Sequence, residues 1–305
     1  MAEFRGNDRL IEVEHKYWSP NWKKWRQPSS SFITKKPPSS IRIVTWNIDF
    51  ASPDVRPRLA AAISHIQTEV VPTIDGAPEP CCILLQEVSY QVFRDLLAHP
   101  WVRKYFQVVP TTTREWPAGN YGVVTLVSKT ITVSKVQSLI FANSVMGRNA
   151  LMVDLKLATP ESENQRRPEI VTVRVANVHL ESLPMGQPAR PQQLAAIAEM
   201  LKEEGIHAGL VGGDMNMIGP NDARIHIDAG LVDSWIWDDS DEEGNTWGYQ
   251  PSCQYPAGRL DRVFFTSAED VEVQPPTRIG IDVKTEDGVW ASDHYGLVTM
   301  VDVLI

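Results

Sequence analysis

The segment "AGLVGGDMN", residues 208–216, joins a short apolar run to two polar side chains. The apolar part has the length and composition of a buried strand, and Asp214 and Asn216 follow it. Alternate residues of a strand share a face, so these two side chains can point in the same direction. Functional residues collect at strand ends because the strand is a rigid support. The segment therefore predicts a sheet strand whose end carries chemistry.

Five further strand boundaries carry the same kinds of side chain. They are Asn47 and Asp49 after "IRIVTW", Glu87 after "CCILLQ", His179 and Glu181 in "VRVANVHLE", Asp261 and Arg262 in "RLDRVFF", and Asp293 and His294 before the last strand. One carboxylate after a strand is most often a turn former or a helix cap. No structural rule requires six such boundaries together, so the set predicts one site built from strand ends.

Strands and helices alternate along the chain from residue 41 onward. Strand patterns cover 41–46, 81–86, 121–128, 150–157, 170–180, 208–213, 259–266 and 295–305, and helical spacing covers 55–70, 90–98, 190–204 and 221–230. For the last helix we expect Asn221 as its cap and Gly230 at its end. There is no repeat of fixed period and no interior linker. The pattern predicts one domain, residues 41–305, of packed sheets covered by helices.

Composition excludes several classes of protein. No run among the 305 residues is long and apolar enough to span a bilayer, and the N-terminus lacks the apolar core of a secretory signal. Three cysteines, two of them adjacent at Cys81 and Cys82, fit neither a disulfide framework nor a metal knuckle. We expect a reduced, intracellular protein. We interpret the five histidines outside the strand-end set as surface or core residues.

Charge divides the chain into two unequal parts. Residues 1–40 contain eight Lys and Arg and four Asp and Glu, so their net charge is +4. The whole chain has a net charge of −9, so residues 41–305 carry −13. This first part is rich in Trp, Pro and Ser and has no helical or alternating period, so we interpret it as a basic extension that wraps the domain with its aromatic side chains. The alternative is a basic-aromatic arm for single-stranded nucleic acid.

The strand-end residues suit metal-assisted hydrolysis of a phosphate ester. Glu87, Asp49 and Asp293 are hard oxygen ligands, which favour Mg²⁺ or Mn²⁺ over zinc. We expect Asp214 to orient or deprotonate the attacking water, with Asn47 and Asn216 holding water or phosphate oxygens without adding charge. A second set of groups would stabilise developing negative charge: His179 and His294 as donors, with Asp261 fixing the tautomer and angle of His294.

Six motifs, "TWNID", "LLQEV", "NVHLES", "GGDMN", "RLDRVFF" and "SDHYGL", resemble the endonuclease/exonuclease/phosphatase superfamily in order and rough spacing over residues 41 to 305. The resemblance implies a four-layer α/β sandwich, two packed mixed β-sheets flanked by helices, with the site at the strand ends. The chain looks most like the 5′-tyrosyl-DNA phosphodiesterases, which remove topoisomerase II adducts from DNA 5′ ends. It departs from them at Phe50, where the motif usually has Gly, and at Gly248, where Asp is usual.

This resemblance implies roles for individual residues. Asn47, Glu87, Asp214, Asn216, Asp293 and His294 would be catalytic or metal-site positions, with Glu87 as the main Mg²⁺ ligand. His179 and Ser182 would lie beside the scissile phosphate, Trp247 would face the nucleic acid, and Arg148 would contact a phosphate or form a structural ion pair.

The same resemblance implies a Mg²⁺-dependent phosphodiesterase without a covalent intermediate, acting on adduct-bearing DNA 5′ ends that are single-stranded near the end. Its compartment would be the nucleus, with the cytoplasm as the alternative, and no obligate protein partner is evident. The alternatives are a sibling hydrolase (an abasic-site endonuclease, a deadenylase or an inositol-phosphate phosphatase) and an inactive binding module.

Overall fold

The structure is a computed structural model that describes residues 7–28, 36–161, 168–238 and 241–304. Within these residues the strands are β1 (Arg9–Glu12), β2 (Lys16–Ser19), β3 (Lys24–Arg26), β4 (Ser40–Asn47), β5 (Thr73–Ile74), β6 (Ala77–Pro78), β7 (Cys81–Ser89), β8 (Phe106–Val109), β9 (Tyr121–Ser128), β10 (Thr132–Ile140), β11 (Asn149–Ala158), β12 (Ile170–His179), β13 (Ala208–Asp214), β14 (Val232–Asp233), β15 (Asp261–Phe265), β16 (Val271–Val273), β17 (Thr277–Ile279) and β18 (Gly296–Val303). The α-helices are α1 (Val55–His65), α2 (Tyr90–Ala98), α3 (Pro100–Tyr105), α4 (Arg190–Leu201) and α5 (Ile225–Asp228), and a π-helical turn, Ile66–Val70, extends α1.

Most of these strands form two mixed sheets. In the first sheet the order is β1-β10-β11-β12-β13-β15-β14, and in the second it is β16-β18-β4-β7-β9-β8-β2-β3 with β17 beside β18. The pairs β12–β13 and β4–β7 are parallel, so their carboxyl ends meet at the same edge. Each sheet therefore brings two strand ends to the edge where the polar strand-end residues lie.

Side-chain alternation along the central strands builds four layers. On β4, Ile41 and Ile43 belong to the core between the two sheets, and Val44 and Trp46 belong to the core under α1, α2 and α3. A third core packs α4 and α5 on the outer face of the first sheet. Burial on both faces explains why these strands read as continuous apolar runs. The predicted four-layer α/β sandwich is confirmed.

The predicted elements are confirmed except for the helix at 221–230. The structure has a 3₁₀ turn at Pro220–Asp222 and a short helix, α5, so the Asn221 cap is wrong. The Asp222 carboxylate explains the early turn, because it is buried and bound by Arg190 Nη2 at 2.7 Å. Gly230 does follow the helix end, with a φ of 67° that favours glycine.

The N-terminal extension contributes strands that its sequence does not predict. β1 pairs with β10 in the first sheet, and β2 pairs with β8 in the second. Each strand is three or four residues long, which is too short to show an alternating period. The predicted domain boundary at residue 40 stays a prediction, but the described part of the extension belongs to both sheets.

The adjacent cysteines lie on opposite faces of β7, as the sequence predicts. Cys81 belongs to the core under the helices and Cys82 to the core between the sheets, and both are free thiols. In the four described stretches, no helix is both long and apolar enough to cross a membrane.

Candidate active site

Strand register places three polar residues side by side at the edge of the first sheet. His179 at the end of β12 is opposite Asp214 at the end of β13, and Asp214 is opposite Asp261 at the start of β15. The glycine before Asp214 permits this close pairing, since a Cβ on Gly213 would lie 1.9 Å from the Val178 carbonyl oxygen. The "GGD" sequence is therefore a requirement of the strand contact.

The second sheet supplies Asn47 and Glu87. Asn47 ends β4, and Glu87 lies on β7 where the pairing with β9 shifts between Leu85 and Val88. Glu87 has a φ of 56°, in the left-handed region that non-glycine residues rarely adopt. Bulges re-aim side chains and are common beside active sites. This backbone turn directs the Glu87 carboxylate toward the edge shared by the two sheets.

Asp214 joins the two sheets through hydrogen bonds. Its Oδ2 accepts from Asn47 Nδ2 at 3.0 Å, and its Oδ1 accepts from the Asn216 backbone N–H at 2.9 Å. The Asn216 side chain donates in turn to the Leu180 carbonyl oxygen at 3.2 Å, with its backbone at a φ of 48°. The carboxylate is thereby held in one orientation at the centre of the cluster.

His179 is a neutral imidazole whose tautomer follows from its neighbours. Burial, followed by the charges of Arg148 and His294, lowers its pKa well below the usual value. Arg148 Nη1 lies 2.8 Å from Nδ1 and can only donate, so Nδ1 accepts and the proton is on Nε2. Nε2 is 3.3 Å from Asp214 Oδ2 and 3.4 Å from Ser182 Oγ. The ring therefore links the guanidinium to the central carboxylate.

His294, unlike the neutral His179, is a protonated and positively charged imidazole. Burial opposes its protonation, but the carboxylates of Asp261 and Asp293 hold its pKa well above the usual value. Its Nδ1 donates to Asp261 Oδ2 at 2.7 Å, and its Nε2 lies 3.8 Å from Asp214 Oδ2. The predicted pairing of Asp261 with His294 is present. Asp214 thus lies between a neutral and a cationic imidazole.

Asp293 and Trp247 meet at the rim of the cluster. Trp247 Nε1 donates to Asp293 Oδ2 at 3.0 Å, and the indole is half-buried. The Asp293 side chain is 35% exposed, and its Oδ1 is 3.9 Å from His294 Nε2. One carboxylate oxygen therefore remains on the open side of the site.

The negative charges of the carboxylates in this cluster are only partly balanced by nearby positive charges. Burial raises the pKa of Glu87 to about 7, against the opposing charge of His294. Burial likewise raises the pKa of Asp214 to about 6 and that of Asp293. Glu87 Oε2 accepts from the Phe50 backbone N–H at 3.0 Å, while Oε1 lies 3.6 Å from His179 Nδ1, beyond hydrogen-bonding distance. Such a site gains stability from an added cation.

Asp49 differs from the other carboxylates, because its oxygens already have partners. Its Oδ2 is 2.7 Å from Arg58 Nη2, and its Oδ1 accepts from the backbone N–H groups of Ala51 and Ser52. Burial raises its pKa, but hydrogen bonds from Ser52 and the charge of Arg58 outweigh burial and lower it. These contacts favour a role for Asp49 in shaping the loop after β4, and its assignment to a metal stays a prediction.

The donor set fits a cation held by few protein ligands. Among the described residues, no group of three or more His, Cys, Asp and Glu side chains converges as a complete metal shell would. Glu87 offers one free carboxylate oxygen and Asp293 another. Mg²⁺ typically takes one or two carboxylates and fills its remaining positions with water and phosphate oxygens. The residues present fit that mode of binding.

A buried polar layer beneath the cluster escaped the sequence analysis. Gln86 Nε2 donates to Asn177 Oδ1 at 2.8 Å and to Thr45 Oγ1 at 3.0 Å, which joins the two sheets. Asn177 Nδ2 donates to the Val124 carbonyl oxygen at 3.0 Å. Gln86 lies one position before Glu87, and Asn177 lies two positions before His179. A polar residue within an apolar strand was the available signal for this layer.

Glu181 holds the loop that carries Arg148. Its Oε1 accepts from the backbone N–H groups of Val145 and Met146 at 3.0 Å, and its Oε2 accepts from Ser144 Oγ at 2.6 Å. This buried carboxylate organises the loop before Arg148. The guanidinium forms no ion pair within the described ranges, and its Nη2 donates to Ser182 Oγ at 2.7 Å. These contacts favour the phosphate interpretation of Arg148 over the ion-pair interpretation, and both stay predictions.

An aromatic pair closes the side of the site near Glu87. Phe50 stacks on Tyr121 with ring centroids 3.9 Å apart, and the Arg148 guanidinium lies 5.5 Å from the Tyr121 ring. A glycine in place of Phe50 would leave this side open.

A separate cavity of about 990 Å³, lined by Asp54, Tyr90 and residues 111–113 among others, includes none of the residues of the cluster.

Comparison with known proteins agrees with this geometry. The model of the Endonuclease/Exonuclease/phosphatase family matches residues 44–294. Zebrafish (D. rerio) TDP2 complexed with single strand DNA product is similar at 20% identity and a TM-score of 0.67, covering 87% of this chain and 100% of that chain. Truncated Caenorhabditis elegans TDP2 is similar at 21% identity and a TM-score of 0.65, covering 87% and 98%.

A third structure, the human Nocturnin catalytic domain with bound sulfate anion, shares 17% identity and a TM-score of 0.58, covering 89% of this chain and 96% of that chain. No curated protein sequence matches. At such identities the structures establish the shared fold, while the family model covers most of the chain and every residue of the cluster. The chain belongs to the Endonuclease/Exonuclease/phosphatase family.

Proposed function

We propose that this protein is a Mg²⁺-dependent phosphodiesterase that hydrolyses 5′-phosphotyrosyl adducts, or closely related diesters, at DNA ends. The observation that carries the proposal is the arrangement of Asp214. It is held between neutral His179 and cationic His294, at the same edge as the uncompensated Glu87. A base, an acid and an open cation position thus stand together at the end of two sheets.

Asp214 is the group that orients and deprotonates the attacking water. With a pKa of about 6 it is ionised at neutral pH and remains basic enough to accept a proton. Asn47 and the Asn216 backbone fix its oxygens, so the lone pair used for the proton keeps a constant direction. His294, kept protonated by Asp261, donates to the negative charge that develops on phosphate oxygens.

Arg148, His179 and Ser182 form an anion-binding group. Arg148 Nε is buried and has no hydrogen-bond partner among the described residues, and Nη1 and Nη2 already contact His179 and Ser182. An unsatisfied buried guanidinium N–H is costly, and a phosphate oxygen would satisfy it. This supports a phosphate contact for Arg148 and a position of the scissile group near His179.

Glu87 and Asp293 would hold Mg²⁺, or Mn²⁺ in its place, and the cation would supply charge neutralisation at the phosphate and at the leaving oxygen. The chain's own contribution is to keep that side of the site acidic and enclosed. Phe50 and Tyr121 restrict the approach of water from the side near Glu87.

DNA with a single-stranded 5′ end is the substrate that the rim supports best. Trp247 is half-buried beside Asp293, where its exposed ring surface can stack on a base. Zebrafish TDP2, which shares the fold, binds single strand DNA product. We extend that ligand class to this chain, and with it the nucleus as the compartment and a tyrosyl leaving group.

A substrate panel tests the proposal. The panel contains a 5′-phosphotyrosyl single-stranded oligonucleotide, an abasic-site duplex, poly(A) RNA and an inositol phosphate, each with Mg²⁺ and with EDTA. We expect release of tyrosine and a 5′-phosphate end from the first substrate, abolished by EDTA and by Asp214→Asn. Turnover of another substrate only would keep the site chemistry and replace the substrate. No turnover by folded protein would favour a binding module.

A further inference from the structure

The hairpin formed by β2 and β3 lies at the outer edge of the second sheet. Trp18 and Trp25 face each other across its two strands, with ring centroids 6.0 Å apart, and Trp25 packs against the core under the helices. The Arg103 guanidinium covers the Trp18 ring at 3.9 Å. This face of the hairpin therefore anchors it to the domain, as the wrapping interpretation expects.

The opposite face of the hairpin is basic and exposed. Side chains alternate along a strand, so Lys24 and Arg26 point away from the face that Trp25 occupies. Trp22, in the turn, is 63% exposed. Lys24 Nζ and Arg26 Cζ lie 5.7 Å and 5.1 Å from its ring centroid. The cations and the ring thus form one surface, which we call the hairpin patch: Trp22, Lys23, Lys24 and Arg26.

The cations of the hairpin patch form no ion pair with the part of the chain that the structure describes. Lys23, Lys24 and Arg26 are exposed, and none forms a salt bridge with another residue of the described stretches. Elsewhere the protein is strongly acidic, since the net charge of −9 includes +4 from the first 40 residues. An unpaired basic surface on an acidic body marks where a polyanion can be attracted locally.

The hairpin patch is far from the proposed active site. β9 begins at Tyr121 beside the site and ends at Ser128, and Lys129 Nζ reaches the Trp18 carbonyl oxygen at 3.5 Å. The hairpin turn is thus at the other end of β9, about 23 Å away for a strand of that length. A ligand on the hairpin patch does not need to enter the catalytic cluster.

We propose that the hairpin patch is a second binding site, which takes single-stranded nucleic acid. A base stacks on the exposed ring of Trp22 while Lys23, Lys24 and Arg26 contact the phosphates on either side of that base. Aromatic stacking combined with a basic backbone track is the general mode by which proteins bind single strands without sequence preference. This binding goes beyond the catalytic proposal and does not depend on it.

An anionic membrane is the competing ligand for a Trp beside Lys and Arg. Stable membrane binding needs a sizeable apolar face to insert. The hairpin patch has one exposed aromatic side chain, and on the same face Tyr17 is half-buried and Ser19 is buried, opposite Arg26 and Lys24. Nucleic acid is therefore the ligand that the composition of the patch favours.

Fluorescence anisotropy with an oligothymidylate of about 20 nucleotides tests the proposal, in EDTA so that catalysis plays no part. Trp22→Ala keeps all charges and should weaken binding about tenfold, because one stacked base is lost. The double variant Lys24→Glu/Arg26→Glu should weaken binding more. It should also reduce the slope of log binding constant against log salt concentration by about 1.4. The matched control is Lys135→Glu/Arg224→Glu, which makes the same charge change at exposed residues elsewhere.

The expected result is loss of affinity in both hairpin variants and little loss in the control, with unchanged turnover of a small chromogenic phosphodiester. Circular dichroism confirms that the variants are folded. Equal effects of the hairpin and control pairs, or no effect of Trp22→Ala, would overturn the proposal. Wild-type protein that binds phosphatidylserine vesicles but not the oligonucleotide would overturn it in favour of the membrane.

Discussion

Replacing Asp214 with asparagine should slow the reaction and stabilise the metal-free fold at the same time. Burial raises the pKa of Asp214 from its usual 3.8 to about 6. At neutral pH the ionised carboxylate therefore costs the fold about 3 kcal/mol, since one pKa unit is about 1.36 kcal/mol. Asparagine has the same shape and no charge. It loses about one hydrogen bond, worth about 1 kcal/mol, so the free energy of unfolding should rise by about 2 kcal/mol.

The pH dependence gives this prediction a definite sign. The folded-state pKa lies above the unfolded one, so the protonated form stabilises the fold at low pH and the penalty appears as pH rises from about 4 through about 6. The gain in Asp214→Asn should thus be present at about pH 8 and absent near pH 4. Turnover should fall by about 10² to 10⁴, the usual contribution of a general base.

Asp222→Asn is the matched control for this experiment. Asp222 is equally buried, but Arg190 pairs with both of its oxygens at 3.0 Å and 2.7 Å. Breaking a buried ion pair should destabilise the protein by about 3–5 kcal/mol. Thermal unfolding in EDTA and turnover in Mg²⁺ are the two readouts. If Asp214→Asn unfolded as early as Asp222→Asn, or kept turnover within tenfold of wild type, the proposed role of Asp214 would be refuted.

Three further variants test neighbouring parts of the account. Glu87→Gln should require far more Mg²⁺ for half-maximal rate, and an unchanged Mg²⁺ titration would assign the metal to other residues. Asp261→Asn removes the charge-assisted bond to His294, so the rate should fall about 10- to 100-fold with little change in KM; equal loss in KM would indicate a substrate-binding role. His65 accepts from the Gly280 backbone N–H, and burial lowers its pKa. His65 should therefore contribute a loss of stability as pH falls below about 6.5, so the difference in unfolding free energy between wild type and His65→Gln should decrease from about pH 8 to about pH 5.

A strand or helix was predictable wherever the apolar pattern of a segment and the length of that segment indicated the same element. The apolar runs around Asn47, His179 and Asp214 are buried on both faces, and each appears as a strand in the expected place. The apolar pattern predicted the wrong helix at 221–230. There the ion pair of Asp222 with Arg190 accompanies a 3₁₀ turn at the start of the segment. An ion pair formed by residues 32 positions apart leaves no local signal in the sequence.

The candidate site was predictable as a set of residues but not as a set of contacts. Residue types at strand ends identified Glu87, Asp214 and His294. They did not separate Glu87, which forms no ion pair with Lys or Arg among the described residues, from Asp49, whose oxygens accept from Arg58 and backbone N–H groups. That difference depends on which side chains the helix α1 brings to the loop, a matter of packing between segments.

Location of the cation tests the central claim most directly. Crystals grown with Mn²⁺ and inorganic phosphate would give an anomalous difference peak at the metal. The account predicts a peak within about 2.0–2.3 Å of a Glu87 carboxylate oxygen. It also predicts a phosphate within hydrogen-bonding distance of Arg148 and His179, and neither feature in Glu87→Gln. A peak held by Asp49, or a phosphate bound away from Arg148 and His179, would contradict the account.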